Sequence, residues 1–498
     1  MSVSLADLLD GIRSLPTAFN RAITGLALDS RLVRPGDLFF ARAGSQTHGT
    51  QFIDDAIRRG AVAIIAAVAP NTTADSLRRD VPVIALPHLT HHLGHIAARF
   101  HGNPSRRLTM IGVTGTNGKT SVTHLLAQTL ERCAVVGTLG AGLVEQLTPT
   151  THTTPDAVIL QGLLAELVAQ DIHHVGLEVS SHALDQGRVE GVAFTVAIFT
   201  NLSRDHLDYH GDMATYGQAK QRLFHTPGLQ YAVINRDDAF GQTLLQNLPE
   251  GVVGIGYGLS LNPTDHPTTN HGLSVVGSNL CLAETGMRLQ VTTPWGSGCL
   301  ASPLLGRFNA ANLLAVLATL GALGIPFEEA LRTLSQAQAV SGRMETLGGG
   351  PTTPLVVVDY AHTPDALEQV LLTLRQHTKG RLWCVFGCGG DRDRGKRPIM
   401  GAVAERLADT LVLTNDNPRN EEALDILQAI LSGIHNPTQV AIIPDRAAAI
   451  RHAITSATPR DVVLIAGKGH EQYQQIQSTR LPFSDRLEAE QALKTYLC

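Results

Sequence analysis

Thr109-Met-Ile-Gly-Val-Thr-Gly-Thr-Asn-Gly-Lys-Thr120 is an apolar run that breaks into a glycine-rich turn and closes on Lys-Thr. Beyond it, Val122, Leu125, Leu126 and Leu130 fall on one face at helical spacing. The stretch reads as strand, turn and helix. In that arrangement backbone N–H groups and a helix N-terminus face a bound phosphate. Lys119 can neutralise the outer phosphates of a nucleotide, and the Thr120 hydroxyl can hold Mg2+. Val113 stands where the strict pattern has glycine, and glycines sit at 112 and 115 instead. A chance Gly-Lys-Thr is the rival reading, and the strand–turn–helix context weighs against it. No Asn-Lys-x-Asp base-reading motif occurs, which disfavours a plain GTPase.

Working outward, further strands are expected at His174–Val179, Thr195–Thr200 and Tyr231–Asn235. Strands alternating with helices predict a largely parallel sheet. Residues 251–303 read as short antiparallel strands, and Ala310–Ile325 as a buried helix too short to span a bilayer. Upstream, Asp37–Ala41, Ala63–Ala66 and Val81–Ile84 are strand-like, His91–Phe100 is a helix candidate, and 101–104 is a linker.

Downstream of residue 342 one pattern recurs five times: an apolar strand running into a polar loop. The loops are Asp359–Pro364, Gly387–Arg394, Asn415–Arg419, Pro444–Arg446 and Ala466–Glu471. In parallel α/β sheets ligands bind beyond the carboxyl ends of the strands. This part is expected to be Rossmann-like. The chain as a whole is predicted to be α/β with three domains. These are a small N-terminal α/β domain (1–105), a central phosphate-loop domain with a mostly parallel sheet (106–341) and a C-terminal Rossmann-like domain (342–498).

Bulk properties agree. With 498 residues, 43% hydrophobic and 17% charged, the chain is of ordinary globular composition. A formal net charge of −5 gives no reason to expect nucleic acid. The six cysteines include no Cys-x-x-Cys, so a reducing cytoplasm fits best. The first residues, MSVSLADLLDGIRSL, do not read as a signal peptide, and no membrane association is expected.

Two more loops follow strands of the central segment: Glu178-Val-Ser-Ser-His-Ala-Leu184 and Asn201-Leu-Ser-Arg-Asp-His-Leu-Asp208. Hard Mg2+ prefers oxygen ligands and phosphate oxygens. Glu178 and His206 are sensible ligands beside the phosphate loop. The spacing His206-x-Asp208-x-His210 leaves a transition-metal hydrolase site open as an alternative. Lys220, read alone, is a solvated helix lysine. Asn309, read alone, is a helix N-cap. Arg419 in Asp416-Asn-Pro-Arg419 is a surface charge after a turn.

Thr114-Gly-Thr-Asn-Gly-Lys-Thr120 resembles the ATP loop of the Mur ligases, the amide-forming enzymes of cell-wall synthesis, whose family includes the folylpolyglutamate synthases. The likeness runs through the chain in order. It implies ATP binding by Gly115, Thr116, Asn117, Gly118, Lys119, Thr120, Ser121, Asn309, Arg343 and Asp359. It implies Mg2+ ligation by Thr120, Glu178, His206 and a carbamylated Lys220, and catalytic roles for Lys119, Glu178, His206, Lys220 and Arg343. Leu28-Asp-Ser-Arg31 and Gly36-Asp-Leu-Phe39 resemble the uridine-binding domain of the branch that adds the third residue of the stem peptide.

For that branch the resemblance implies substrate contact at Leu28, Ser30, Ser45, Gln46, Thr47, Thr153, Thr154, Ser180, Gln186 and Arg188. His152 and His48 stand where the family usually has Asn and Asp. Asp416-Asn-Pro-Arg419 resembles the diaminopimelate-adding branch. A bidentate arginine there suits the second carboxylate of meso-diaminopimelate, which lysine lacks. Arg392, Asp416, Asn417, Pro418, Arg419, Gly467 and Glu471 are the implied contacts. The implied substrates are UDP-N-acetylmuramoyl-L-alanyl-D-glutamate, meso-diaminopimelate and ATP, with a monomer expected. Because an acyl phosphate would hydrolyse in water, closure of the C-terminal domain is expected. The rivals are a lysine-adding or folate-type ligase and a phosphate-loop regulatory protein without ligase activity.

Overall fold

The computed structural model describes residues 2–42, 49–69, 75–260, 272–283 and 286–496. The expected uridine contacts Ser45, Gln46 and Thr47 lie outside the described residues. The chain divides into two compact units. One is built mainly from residues up to 257, the other mainly from 275–317 and 324–498.

The first unit holds two large sheets whose central strands are apolar, as sheets covered on both faces require, beside a two-stranded pair of Val3–Ser4 with Ala22–Ile23. In the smaller sheet, Gly25–Ala27, Asp37–Ala41, Ala63–Val68 and Val81–Pro87 lie parallel in that order, with Ser76–Arg78 antiparallel at the edge. In the larger one, Thr109–Thr114 lies between His174–Glu178 and Val196–Phe199, parallel to both. Three adjacent strands thus end at one edge, at Thr114, Glu178 and Phe199. Cys133–Gly137 extends the sheet on one side and Tyr231–Asn235 on the other.

One expectation fails here. Val253–Leu259, expected within an antiparallel region, pairs parallel to Tyr231–Asn235. The connecting helix, Ala239–Gln246, makes the crossover that a parallel neighbour needs. The antiparallel meander begins later, with Leu273–Ala283, Gly286–Thr293 and Gly296–Ser302.

The buried helix expected at 310–325 runs from Arg307 to Ala322, its residues up to 317 counted with the second unit. The five strand-into-loop segments form one parallel sheet. Its order is Leu355–Asp359, Val462–Ala466, Leu382–Phe386, Thr410–Leu413, Ala441–Ile442. The last strand in sequence returns to lie between the first two. The loops after Asp359, Phe386, Leu413 and Ala466 therefore share an edge at a topological switch point. Glu345–Gly348 adds an antiparallel edge strand with no counterpart in the sequence reading.

Behind that edge lies a buried ion pair. Arg446 and Asp485 are both fully buried, and Nε and Nη2 of the arginine donate to the carboxylate at 2.7 Å. The same guanidinium donates to the carbonyls of Ala466 (3.0 Å) and Asn415 (3.3 Å), at the ends of two site-bearing strands.

Candidate active site

The phosphate loop opens at Gly115, whose φ of +148° suits glycine, and a Cβ there would collide with the Thr200 hydroxyl. The helix starts at Lys119. Lys119 Nζ folds back onto the loop, donating to the carbonyls of Gly115 (2.8 Å) and Thr116 (2.9 Å). The loop is braced from the next strand end. Asn117 N–H donates to Asn201 Oδ1 at 2.9 Å, and the Thr200 hydroxyl donates to the Asn117 carbonyl at 2.6 Å.

Glu178, buried at the end of its strand, is the junction of the site. Its Oε1 accepts from the Thr120 hydroxyl (3.0 Å) and the Thr138 amide (2.9 Å), and Oε2 accepts from the Thr138 hydroxyl (3.2 Å). The Thr138 hydroxyl lies 3.1 Å from that of Thr153. Thr154, fully buried, donates to the Glu178 carbonyl at 2.7 Å and to Ser180 Oγ at 3.3 Å. Arg188 donates to the Thr154 carbonyl (2.9 Å) and to Gln186 Oε1 (2.6 Å). Glu178, Thr120 and five expected substrate contacts thus form one hydrogen-bonded chain. Arg42, Asp156, Gln186 and Arg188 line a cleft beside it.

Lys220 corrects the reading of a solvated lysine: it is 1% exposed. Its helix, Met213–Gln221, turns the side chain inward, where Nζ lies 4.4 Å from the Tyr216 ring centroid. Nζ donates to the Gly115 carbonyl at 2.9 Å, the same oxygen that Lys119 approaches. Burial, with Lys119 as a neighbouring charge, lowers its pKa to about 6. The amine is therefore largely neutral at pH 7, the form that combines with CO2.

His206 sits at φ +53°, and its ring is exposed, 4.9 Å from His182 and 6.1 Å from Tyr216. The Tyr216 hydroxyl reaches Thr116 Oγ1 at 3.2 Å, so this aromatic cluster borders the phosphate loop. Among the described residues no group of three or more His, Cys, Asp or Glu side chains gathers to hold a metal, His206, Asp208 and His210 included. The donors that do converge are oxygens, the Thr120 hydroxyl and the Glu178 carboxylate. Hard oxygen donors fit Mg2+.

In the N-terminal part, Leu28 packs on a buried apolar cluster. Ser30 is buried and bonds the Asp55 carboxylate, holding it below the usual carboxylate range.

In the second unit Asn309 is not an N-cap. It lies in the first turn, its amide donating to the Leu305 carbonyl (2.8 Å) and its Oδ1 accepting from Asn312 (3.1 Å). Asp359 is buried, with one oxygen accepting from the Met344 amide and the other from the Ala361 amide, both at 2.8 Å. It fixes the loop after its strand. The Arg343 guanidinium lies 4.8 Å from the Tyr360 ring centroid, and its Nε is buried without a hydrogen-bond partner among the described residues.

The expected amino-acid contacts come together. A Cβ on Gly389 would meet Arg419 Nη1 at 2.9 Å and Arg392 Cγ at 3.7 Å, so both arginines run along this glycine. Arg419 Nη1 donates to the Gly390 carbonyl at 2.7 Å. Its backbone is in the left-handed region, at φ +51°, a strained conformation for a long side chain. Gly467, at φ +117°, lets Asp416 Oδ2 approach to 2.7 Å of where a Cβ would be. The arginine-bearing loop is pinned by Glu421, which accepts from the Asp391 amide (2.6 Å) and from both terminal nitrogens of Arg397 (3.0 and 2.9 Å). The Arg397 hydrogen bonds hold its carboxyl at about 2. Thr138, Asn201, Glu421 and Lys468, whose Nζ donates to Glu471 Oε2 at 2.8 Å, also build these sites and are not among the residues expected from sequence. Asn201 and Lys468 lie within loops that sequence singled out.

Comparison with known proteins accords with this geometry. Residues 22–101 match the profile "Mur ligase family, catalytic domain", 113–320 the "Mur ligase middle domain" and 342–469 the "Mur ligase, glutamate ligase domain". A UDP-N-acetylmuramoyl-L-alanyl-D-glutamate–2,6-diaminopimelate ligase of Alkalilimnicola ehrlichii is 49% identical, covering 98% of each chain. A solved structure of an enzyme of that name superposes with TM-score 0.75 at 36% identity over 99% of each chain. The MurF ligase of Thermotoga maritima in complex with ADP shares the fold, with TM-score 0.58 at 18% identity over 97% of this chain and 99% of that one. With its family profiles matched in order and a full-length relative at this identity, the chain belongs to the Mur ligase family.

Proposed function

We propose that this chain is an ATP-dependent ligase that joins meso-diaminopimelate to the D-glutamyl γ-carboxylate of UDP-N-acetylmuramoyl-L-alanyl-D-glutamate. The observation that carries the reading is the amine-side pocket. The Arg419 guanidinium and the stem of Arg392 both border Gly389, and Glu471 keeps one carboxylate oxygen without a hydrogen bond among the described residues. Two cationic forks and one anionic acceptor match the carboxylate and ammonium at the far end of diaminopimelate. Lysine would leave the arginines unpaired.

On the phosphate side, the substrate γ-carboxylate attacks the γ-phosphorus of ATP, giving an acyl phosphate and ADP. Lys119 exchanges its loop carbonyls for phosphate oxygens and offsets the charge that spreads over them. Thr120, Glu178, His206 and the carbamate of Lys220 would hold Mg2+, which supplies electrostatic stabilisation of phosphate charge when bound. Thr153, Thr154, Ser180, Gln186 and Arg188 orient the UDP-linked dipeptide. Asn309, Arg343 and Asp359 serve the nucleotide. The free amine of diaminopimelate then attacks the acyl carbon, loses a proton and expels phosphate. The chain acts in three domains, 1–105, 106–341 and 342–498, as a cytoplasmic monomer.

The test is phosphate release with UDP-muramoyl dipeptide and ATP, comparing meso-diaminopimelate with L-lysine. Turnover is expected with the former. Turnover with lysine alone would overturn the reading, and release with neither would favour a nucleotide-binding protein without ligase activity.

A further inference from the structure

Lys468 is fully buried, yet it follows a strand that ends at the site edge and lies between two glycines with positive φ, Gly467 and Gly469. Its Nζ donates to Glu471 Oε2 at 2.8 Å and to Asn417 Oδ1 at 3.0 Å. Asn417 Oδ1 also accepts from the Gln475 amide at 2.8 Å. With two donors on that oxygen, the Asn417 side chain can turn only one way. Its Nδ2 therefore faces Glu471 and donates to the same Oε2 at 2.8 Å. Both donors are spent on Oε2, and Oε1 is left to accept from a ligand.

The pocket needs a resident cation. Asp416, 7% exposed, and the partly buried Glu471 lie near one another, and each raises the cost of ionising the other. Burial alone would push the Glu471 carboxyl up. The hydrogen bond and charge of Lys468, with the Asn417 amide, outweigh it and hold the carboxyl below its usual value. Among the described residues, His470, Asp416, Arg446 and the Tyr360 hydroxyl are further titratable or charged groups around it, and the Tyr473 ring lies 5.5 Å from Lys468 Nζ.

We propose that Lys468 is a specificity-setting positioning residue. It locks Asn417 and Glu471 so that Glu471 Oε1 is presented to the far-end ammonium of the incoming amino acid. The proposal rests on the reading of this pocket as the diaminopimelate site. A lysine that served stability alone would, on replacement by methionine, lower the melting temperature and leave KM for diaminopimelate where it was. Replacing a positioning lysine would raise that KM.

The experiment is steady-state kinetics of the full chain and its Lys468→Met and Lys468→Gln variants, with melting temperatures alongside. Wild-type turnover with meso-diaminopimelate tests the parent reading. Given that, Lys468→Met should raise KM for diaminopimelate by roughly ten- to hundredfold, as loss of one partner of a buried charge pair does. KM for ATP and for the UDP-linked substrate should stay within about twofold, as expected for sites that share no partner with it. KM for diaminopimelate should also rise further as pH falls from 8 to 6, whereas the wild type changes little over that range. Lys468→Gln keeps an N–H donor without the charge and should fall between. Unchanged KM for diaminopimelate in a folded variant overturns the proposal. So does a parallel loss of affinity for all three substrates. Should Lys468→Met not fold, Lys468→Gln decides by the same criteria, and failure of both to fold overturns the proposal in favour of a purely structural lysine. No wild-type turnover with meso-diaminopimelate would remove the parent reading instead.

Discussion

The Thr120 hydroxyl donates to Glu178 Oε1 across 3.0 Å, joining the first turn of the phosphate-loop helix to the end of the neighbouring strand. The two oxygens come from residues 58 apart in sequence, and the parallel pairing of Thr109–Thr114 with His174–Glu178 is what sets them side by side. Glu178→Gln keeps the shape but puts an amide where two donors point. The substitution should lower kcat by about a hundredfold or more, the scale on which removing a group that stabilises transferring charge acts. Phosphate release under saturating ATP measures it. Activity within a few-fold of wild type would remove Glu178 from the chemistry.

Lys220 makes a prediction with two faces. Its folded pKa of about 6 lies well below that of a free lysine. Between the two values the unfolded chain holds a proton that the folded chain does not, so stability rises with pH across that window and is poorest below about 6. Lys220→Met should therefore melt higher than the wild type at pH 6 and yet show no turnover. Carbamylation also needs the neutral amine, so a carbamate signal after 13CO2 labelling should weaken as pH falls through about 6. Absence of that signal at pH 8 would count against the modification.

Arg419 combines a strained backbone with a side chain that reaches the Gly390 carbonyl. Arg419→Ala should raise KM for diaminopimelate by roughly a hundredfold while ATP affinity holds, because the proposed bidentate charge-assisted contact would be lost. Arg419→Gly should behave alike in kinetics yet be more stable than the alanine variant by about 1 kcal/mol, since glycine adopts positive φ freely. Equal KM for diaminopimelate in either variant would refute the assigned contact.

His377 links the end of the helix Pro364–His377 to two backbone groups. Nε2 accepts from the Gly306 amide at 2.9 Å, which places the proton on Nδ1, facing the Ala283 carbonyl at 2.6 Å. Only the neutral ring satisfies both, and burial keeps its pKa below the usual histidine value. The folded state then binds its proton later than the unfolded state. Stability is full above the ordinary histidine pKa and is lost as pH falls through it toward the folded value. The cost of orphaning the amide is about 1–3 kcal/mol. Melting curves between pH 7.5 and 5 should show a steeper decline for wild type than for His377→Gln. Parallel slopes would exclude the histidine as the cause.

The sequence already held much of this arrangement, because strands that end in glycine-rich or charged loops declare both the sheet and its binding edge. All five strand-into-loop segments beyond residue 342 proved parallel neighbours in one sheet. Lys220 could not be read as buried, since its surroundings, the Gly115 carbonyl and the Tyr216 ring, depend on packing that helical periodicity does not reveal. Val253–Leu259 misled because its glycines and turns resemble those of the meander that follows it. Asn309 misled by about one turn, since the helix begins at Arg307, its first backbone amides donate to the Gly306 carbonyl, and the Asn309 side chain donates to that of Leu305. Lys468 stood inside a loop that sequence had singled out, but a lysine between glycines looks solvent-facing until the burial is known.

The ion pair between Arg446 and Asp485 has a consequence for biosynthesis. Residues emerge from the ribosome in order, and the arginine that clasps the ends of two site-bearing strands lacks its hydrogen-bonded carboxylate until Asp485 has been made. Before then the buried cation lacks the one carboxylate that is hydrogen-bonded to it, and losing one partner of such a pair costs several kcal/mol, more than a domain of marginal stability carries easily. The amine pocket should therefore appear late and all at once in translation, and a nascent chain halted short of Asp485 would hold every contact residue and no working pocket.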